Sequence, residues 1–111
     1  MVYELLKDLP YDLSRTKSNL IDAAHSINRN ISEGYCRRNI KEYLNFLNIA
    51  LGSKGELFSG MYGLKEIEKI SEKDFERFDE LHYQVENELI GLIKSLQAKQ
   101  KKGDWDDSFA K

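Results

Sequence analysis

The stretch FERFDELHYQVENELIGLIKSL, Phe75 to Leu96, decides the fold. Phe75, Phe78, His82, Val85, Leu89, Leu92 and Leu96 recur at alternating steps of three and four, which keeps them on one face of an α-helix. His82 is the one polar member of that seam. Ser71, with Asp74 three residues on, marks the start of the helix, and Gly103 marks its end. Working back along the chain, Tyr43, Leu44, Leu47, Leu51, Leu57, Phe58, Met61 and Leu64 give a second helix from Ile40 to about Ile67. Asn39 is its N-cap, with Glu42 in the capping-box position. Leu13, Leu20, Ala24, Ile27 and Ile31 give a third, from about Asp12 to about Gly34. That glycine is expected to stop the helix, because it enters the left-handed conformation without a Cβ penalty. Val2 to about Leu9, roughly two turns before Pro10, is too short a helix to be stable alone and must pack on the others.

The expected fold is all-α: an antiparallel up-and-down four-helix bundle with a shortened first helix, spanning residues 1–102. Residues 103–111, with Trp105 and Phe109, lack periodicity and are expected to form a flexible C-terminal tail.

The totals fit one domain. The chain has 111 residues, 41% hydrophobic and 32% charged, too apolar for a disordered segment. Its apolar runs are only a few residues long, so no membrane span is expected. No charged-then-apolar leader opens the sequence, and the single Cys36 has no partner for an internal disulfide. A cytoplasmic location is therefore expected.

Net charge is −2, but it is unevenly distributed. Residues 15–41 hold six basic residues against two acids, whereas residues 65–90 hold nine acids against four bases. Neighbouring helices that complement one another would explain the split without any external partner.

Gly52, Gly55, Gly60 and Gly63 fall inside the Ile40–Ile67 helix, each at a cost of about 1 kcal/mol relative to alanine. Gly52, Ser59, Gly60 and Gly63 lie along one side with Glu56. Such a strip lets another helix approach closely, from this chain or from another subunit.

Few residues suggest catalysis. Asp22 with His25, and Asp79 with His82, have the spacing of a dimetal carboxylate bundle, for which Glu33, Glu42 and Glu56 would be the missing carboxylates. Aspartate is a methylene shorter than the glutamate such sites use, and two short matches arise easily in a chain this charged. His82 reads better as a core histidine with one hydrogen-bonded nitrogen. Cys36 has neither a resolving cysteine nor an evident histidine base. No glycine-rich phosphate loop follows a strand. No catalytic residue, metal or cofactor is expected.

The stronger lead is NISEGYCRRNIKEY, Asn30 to Tyr43. Arg37, Arg38 and Lys41 cluster where one helix ends and the next begins, and free N–H groups and the helix dipole also favour an anion there. Arg29 lies two turns earlier. Tyr35 and Tyr43 flank the group, in position to stack on a base. These four cations are the candidate nucleic-acid phosphate contacts. The alternative is that they pair with acids of the last helix or of another subunit. Asn30, Glu33 and Glu56, polar residues near apolar faces, are expected to form a buried structural hydrogen-bond network.

The block SINRNISEGYCRRNIKEYLNFLNIALGSKGEL, Ser26 to Leu57, resembles the core of the 23S rRNA intervening-sequence protein family of bacterial four-helix bundle proteins. Ser26-Ile27, Asn30-Ile31, Glu33-Gly34, Arg37-Arg38, Lys41-Glu42, Phe46-Leu47 and the run from Ile49 to Leu57 carry the resemblance, which extends more loosely to about Lys99. It implies an antiparallel four-helix bundle. The accessory variability proteins of diversity-generating retroelements look similar in fold, and those assemble as pentamers that bind a reverse transcriptase and nucleic acid. Two departures stand out. The family's first helix is normally longer than Met1 to Leu9, and its second often carries proline where this chain has Asn28. A shorter first helix is expected to leave an apolar groove uncovered, or filled by a neighbouring subunit.

Together these observations point to a non-enzymatic homo-oligomer, a pentamer by the resemblance, acting as an accessory or scaffold. RNA or DNA is the expected partner, through Arg29, Arg37, Arg38 and Lys41. The alternative is a protein–protein interaction module that does not bind nucleic acid and uses the basic cluster in subunit contacts.

Overall fold

A computed structural model describes residues 1–37 and 39–103. Among them are four α-helices and no strand: α1 (Val2–Leu6), α2 (Ser14–Arg37), α3 (Ile40–Glu66) and α4 (Glu72–Lys102). A single turn of 3-10 helix at Tyr11–Leu13 joins α1 to α2. Arg38, Trp105 and Phe109 lie outside the described residues, as does all of the expected tail beyond Gly103.

The local signals act as their chemistry requires. The Asn39 side chain accepts from the Glu42 N–H at 3.1 Å, and the Ser71 hydroxyl accepts from the Asp74 N–H at 3.0 Å. Gly103 closes α4 in the left-handed region at φ 72°. At the end of α3 the left-handed position is taken by Glu68, φ 61°, with Lys69 N–H donating to the Leu64 carbonyl and Glu68 N–H to that of Lys65. This is a Schellman closure without glycine, and Ile70 just beyond it is buried.

Contacts fix the relative directions of the long helices. Along α2, Leu20, Ser26 and Gly34 meet Gly60, Ser53 and Phe46 of α3, so the numbering falls on one helix as it rises on the other. Across α3 and α4, Lys65 lies over the Phe75 ring while Lys54 bonds His82, again an antiparallel pair. The helix α3 is central: α2 and α4 both pack mainly on it. Leu47, Ala50 and Met61 of α3, together with Leu6 of α1, are fully buried. The molecule is elongated, 50 × 22 × 16 Å between Cα extremes.

The structure differs from the sequence expectation in several places. The first helix stops at Leu6, and Pro10 starts the 3-10 turn instead of bounding a longer helix. Gly34 does not end α2, which runs three residues further to Arg37. It is buried, and a Cβ there would lie 2.8 Å from Phe46 Cβ and 3.0 Å from a Tyr43 ring carbon. Its role is the close approach of α2 and α3, not the left-handed stop. The glycine strip likewise divides. A Cβ at Gly60 would collide with Leu20, whereas Cβ atoms at Gly52, Gly55 and Gly63 would meet nothing within 4 Å. Among the described residues, only Gly60 of the strip serves helix packing.

Candidate functional site

The α2–α3 junction positions the expected cations. Arg29, Glu33 and Arg37 follow one another at steps of four along α2, and therefore form a row on its surface. Arg37 donates through Nε to Glu33 Oε1 at 3.1 Å, and its Nη2 lies 3.1 Å from the same oxygen. Both side chains are about half exposed, so the pair contributes a few tenths of a kcal/mol at most. The Arg37 guanidinium also lies over the Phe46 ring, 5.6 Å from its centroid. Lys41 stands exposed in the first turn of α3, where its charge adds to the positive end of the helix dipole. Arg29 is exposed, and neither it nor Lys41 makes an ion pair with a described residue. Arg38 falls outside the description.

None of the ion pairs among described residues joins two helices. Each of the three links residues close together in sequence: Arg37–Glu33, Lys65–Glu66 and Arg77–Asp74. Among the described residues, the basic α2 and the acidic α4 therefore share no ion pair, and both lie mainly on α3.

Two details of the junction depart from expectation. Tyr43 is buried, with the half-exposed Tyr35 set edge-on to it at 6.1 Å. Burial, reinforced by Tyr35, raises the Tyr43 pKa and keeps its hydroxyl protonated. The polar network also has different members. Glu33 and Glu56 are exposed, because the rows they occupy face solvent. Asn30 is half-buried and donates through Nδ2 to the Ser26 carbonyl at 2.7 Å and to Ser26 Oγ at 3.0 Å. Ser26 Oγ in turn lies 2.8 Å from Ser53 Oγ, which carries the link from α2 to α3.

A second constellation was not anticipated. Lys54 is 1% exposed, the largest of the fully buried side chains. Its Nζ donates to the His82 carbonyl at 2.9 Å and lies 3.2 Å from His82 Nδ1. His82 is itself buried, against the Phe58 and Phe78 rings. Desolvation lowers the Lys54 pKa, opposed by Glu86. Desolvation and then the Lys54 charge lower that of His82, opposed by Glu86 and Asp79. The signal was present in the spacing. Leu47, Ala50, Lys54, Leu57, Met61 and Leu64 step by three and four, all buried, and Lys54 is the polar member of this series as His82 is of the α4 seam. Two polar residues in facing apolar seams are each other's partners.

The Asp-x-x-His units do not assemble a centre. Asp22, His25 and Asp79 are exposed, His82 is committed to Lys54, and no group of three or more His, Cys, Asp or Glu among the described residues could hold a metal ion. Cys36 is exposed. No described helix is long and apolar enough to cross a membrane.

No curated protein and no solved structure matches the chain significantly. A family model does, described as 23S rRNA-intervening sequence protein, and it matches residues 1–91, which include α1, α2, α3, the junction and most of α4. The chain belongs to the 23S rRNA-intervening sequence protein family.

Proposed function

We propose that the protein is a non-enzymatic, oligomeric accessory or scaffold that binds RNA or DNA phosphates at the α2–α3 junction. Arg29, Arg37, Arg38 and Lys41 are the contacts, with Tyr35 beside them as a stacking surface. The observation that carries this reading is the availability of the cations. Arg29 and Lys41 have no ion-pair partner among the described residues, and Arg37 pairs with the exposed Glu33 of its own helix while lying over the Phe46 ring. A phosphate displaces such a surface carboxylate at little cost. Binding is electrostatic, through release of condensed counterions, and several copies in an oligomer multiply a modest patch.

A second reading is a protein-interaction module whose cluster serves subunit contacts. It is favoured by the outer face of α3, where Ile49 is half exposed and Gly52, Gly55 and Gly63 face open space. The double variant Arg37→Glu with Arg38→Glu separates the two. Loss of RNA binding with the native mass in solution supports the junction as a nucleic-acid site. Loss of the assembly itself favours the interaction module.

A further inference from the structure

A cavity of about 160 Å3 opens beside the buried lysine. Ala24 and Ile27 of α2, Leu57 of α3, and Phe78 and Val85 of α4 supply apolar walls, and Lys54 and His82 also line it. Met1, Asn28 and Leu81 are both lining and exposed, so the cavity reaches the surface through them. Apolar cavities of about 150 Å3 are large enough to hold benzene. An apolar pocket with a few convergent polar groups is a typical small-molecule site.

We propose that this cavity binds a small apolar aldehyde through a reversible imine to Lys54, with His82 as the proton carrier.

Three observations converge on this chemistry. Lys54 makes no ion pair with a described carboxylate, and its hydrogen-bond contacts are the neutral carbonyl and Nδ1 of His82. Its surroundings lower its pKa, which raises the share of nucleophilic amine at neutral pH. His82 Nδ1 is already within 3.2 Å of Nζ, the position needed to take up a proton. A carboxylate ligand, by contrast, would need the charged forms that this environment disfavours.

The atoms balance without an oxidant or reductant. The Nζ lone pair forms a bond to the carbonyl carbon, and the carbonyl electrons move to oxygen. His82 Nδ1 accepts the proton released from nitrogen and returns it to that oxygen. His82 then carries the remaining N–H proton of the carbinolamine to its hydroxyl, which leaves as water as C=N forms. One amine and one aldehyde give one imine and one water, and the aldehyde's apolar body occupies the cavity.

The test uses benzaldehyde with sodium cyanoborohydride at neutral pH, followed by peptide mapping of the intact chain's twelve lysines. In the folded protein, Lys54 should be labelled at least about tenfold faster than exposed lysines such as Lys41 and Lys94, because the cavity holds the aldehyde against its amine. In denaturant the preference should vanish. His82→Gln should slow labelling at Lys54 and leave the exposed sites unchanged. A folded-state rate at Lys54 no greater than that of the exposed lysines overturns the site. An unchanged Lys54 rate in His82→Gln overturns the role given to His82.

Discussion

Lys54 Nζ of α3 lies 2.9 Å from the backbone carbonyl of His82 on α4 and 3.2 Å from the Nδ1 of the same residue. The contact places a lysine, 1% exposed, at the meeting of two helices. A buried cation without a carboxylate in contact loses its hydration and regains only part of it through hydrogen bonds. The pair therefore specifies the α3–α4 register more than it stabilises it, since any slip would bury Lys54 without a partner.

That balance sets what substitution at position 54 should do. Methionine keeps most of the length of the side chain and removes the charge, so Lys54→Met should change stability by no more than about 1 kcal/mol in either direction. Lys54→Ala leaves a cavity instead and should cost about 2–3 kcal/mol. Urea unfolding of the two variants against the parent chain checks the ordering.

Acid should weaken the fold through His82. Burial first, then the Lys54 charge, holds its folded-state pKa below the ordinary 6.5, while Glu86 and Asp79 on its own helix act in the opposite sense. As pH falls through 6.5, the unfolded chain takes up a proton that the folded chain does not, so stability falls until the folded pKa is passed. The slope in that window approaches about 1.4 kcal/mol per pH unit at most. Lys54 acts in the same sense below its ordinary 10.5, so stability should rise toward that pH. Urea midpoints measured from neutrality down to about pH 5 should decline, and His82→Phe should flatten the decline.

The glycines should respond in opposite directions. Gly34→Ala forces a methyl against Phe46 Cβ, 2.8 Å away, and should destabilise by about 1–3 kcal/mol. Gly52→Ala, Gly55→Ala and Gly63→Ala put the methyl into open space and should each stabilise an isolated chain by about 0.5–1 kcal/mol. If that face instead meets another subunit, the same changes should lower the mass seen by sedimentation. Thermal unfolding and sedimentation of each variant separate the two outcomes.

These contrasts show which features were legible in the sequence. Caps were, because Asn39 and Ser71 act on N–H groups three residues away. The helical seams were, because spacing alone sets which side chains share a face. Gly34 was not, since a glycine three residues before a helix end looks the same whether it stops the helix or admits a neighbour. Only the position of Phe46 distinguishes them. Lys54 was passed over because lysine is rarely buried without a charged partner, although its place between Ala50 and Leu57 on the buried face marked it. Asn30 was singled out, but its partners Ser26 and Ser53 depend on the α2–α3 register, which no local pattern states.

The central claim is that the cations of the α2–α3 junction meet nucleic-acid phosphates. Fluorescence anisotropy of a labelled structured RNA, titrated with the protein at several salt concentrations, tests it most directly. If Arg29, Arg37, Arg38 and Lys41 each neutralise a phosphate, the logarithm of the binding constant should fall against the logarithm of salt with a slope of about −3 to −4 per protomer. No saturable binding even at the lowest salt, or binding indifferent to salt, would contradict the account and leave the junction to subunit contacts.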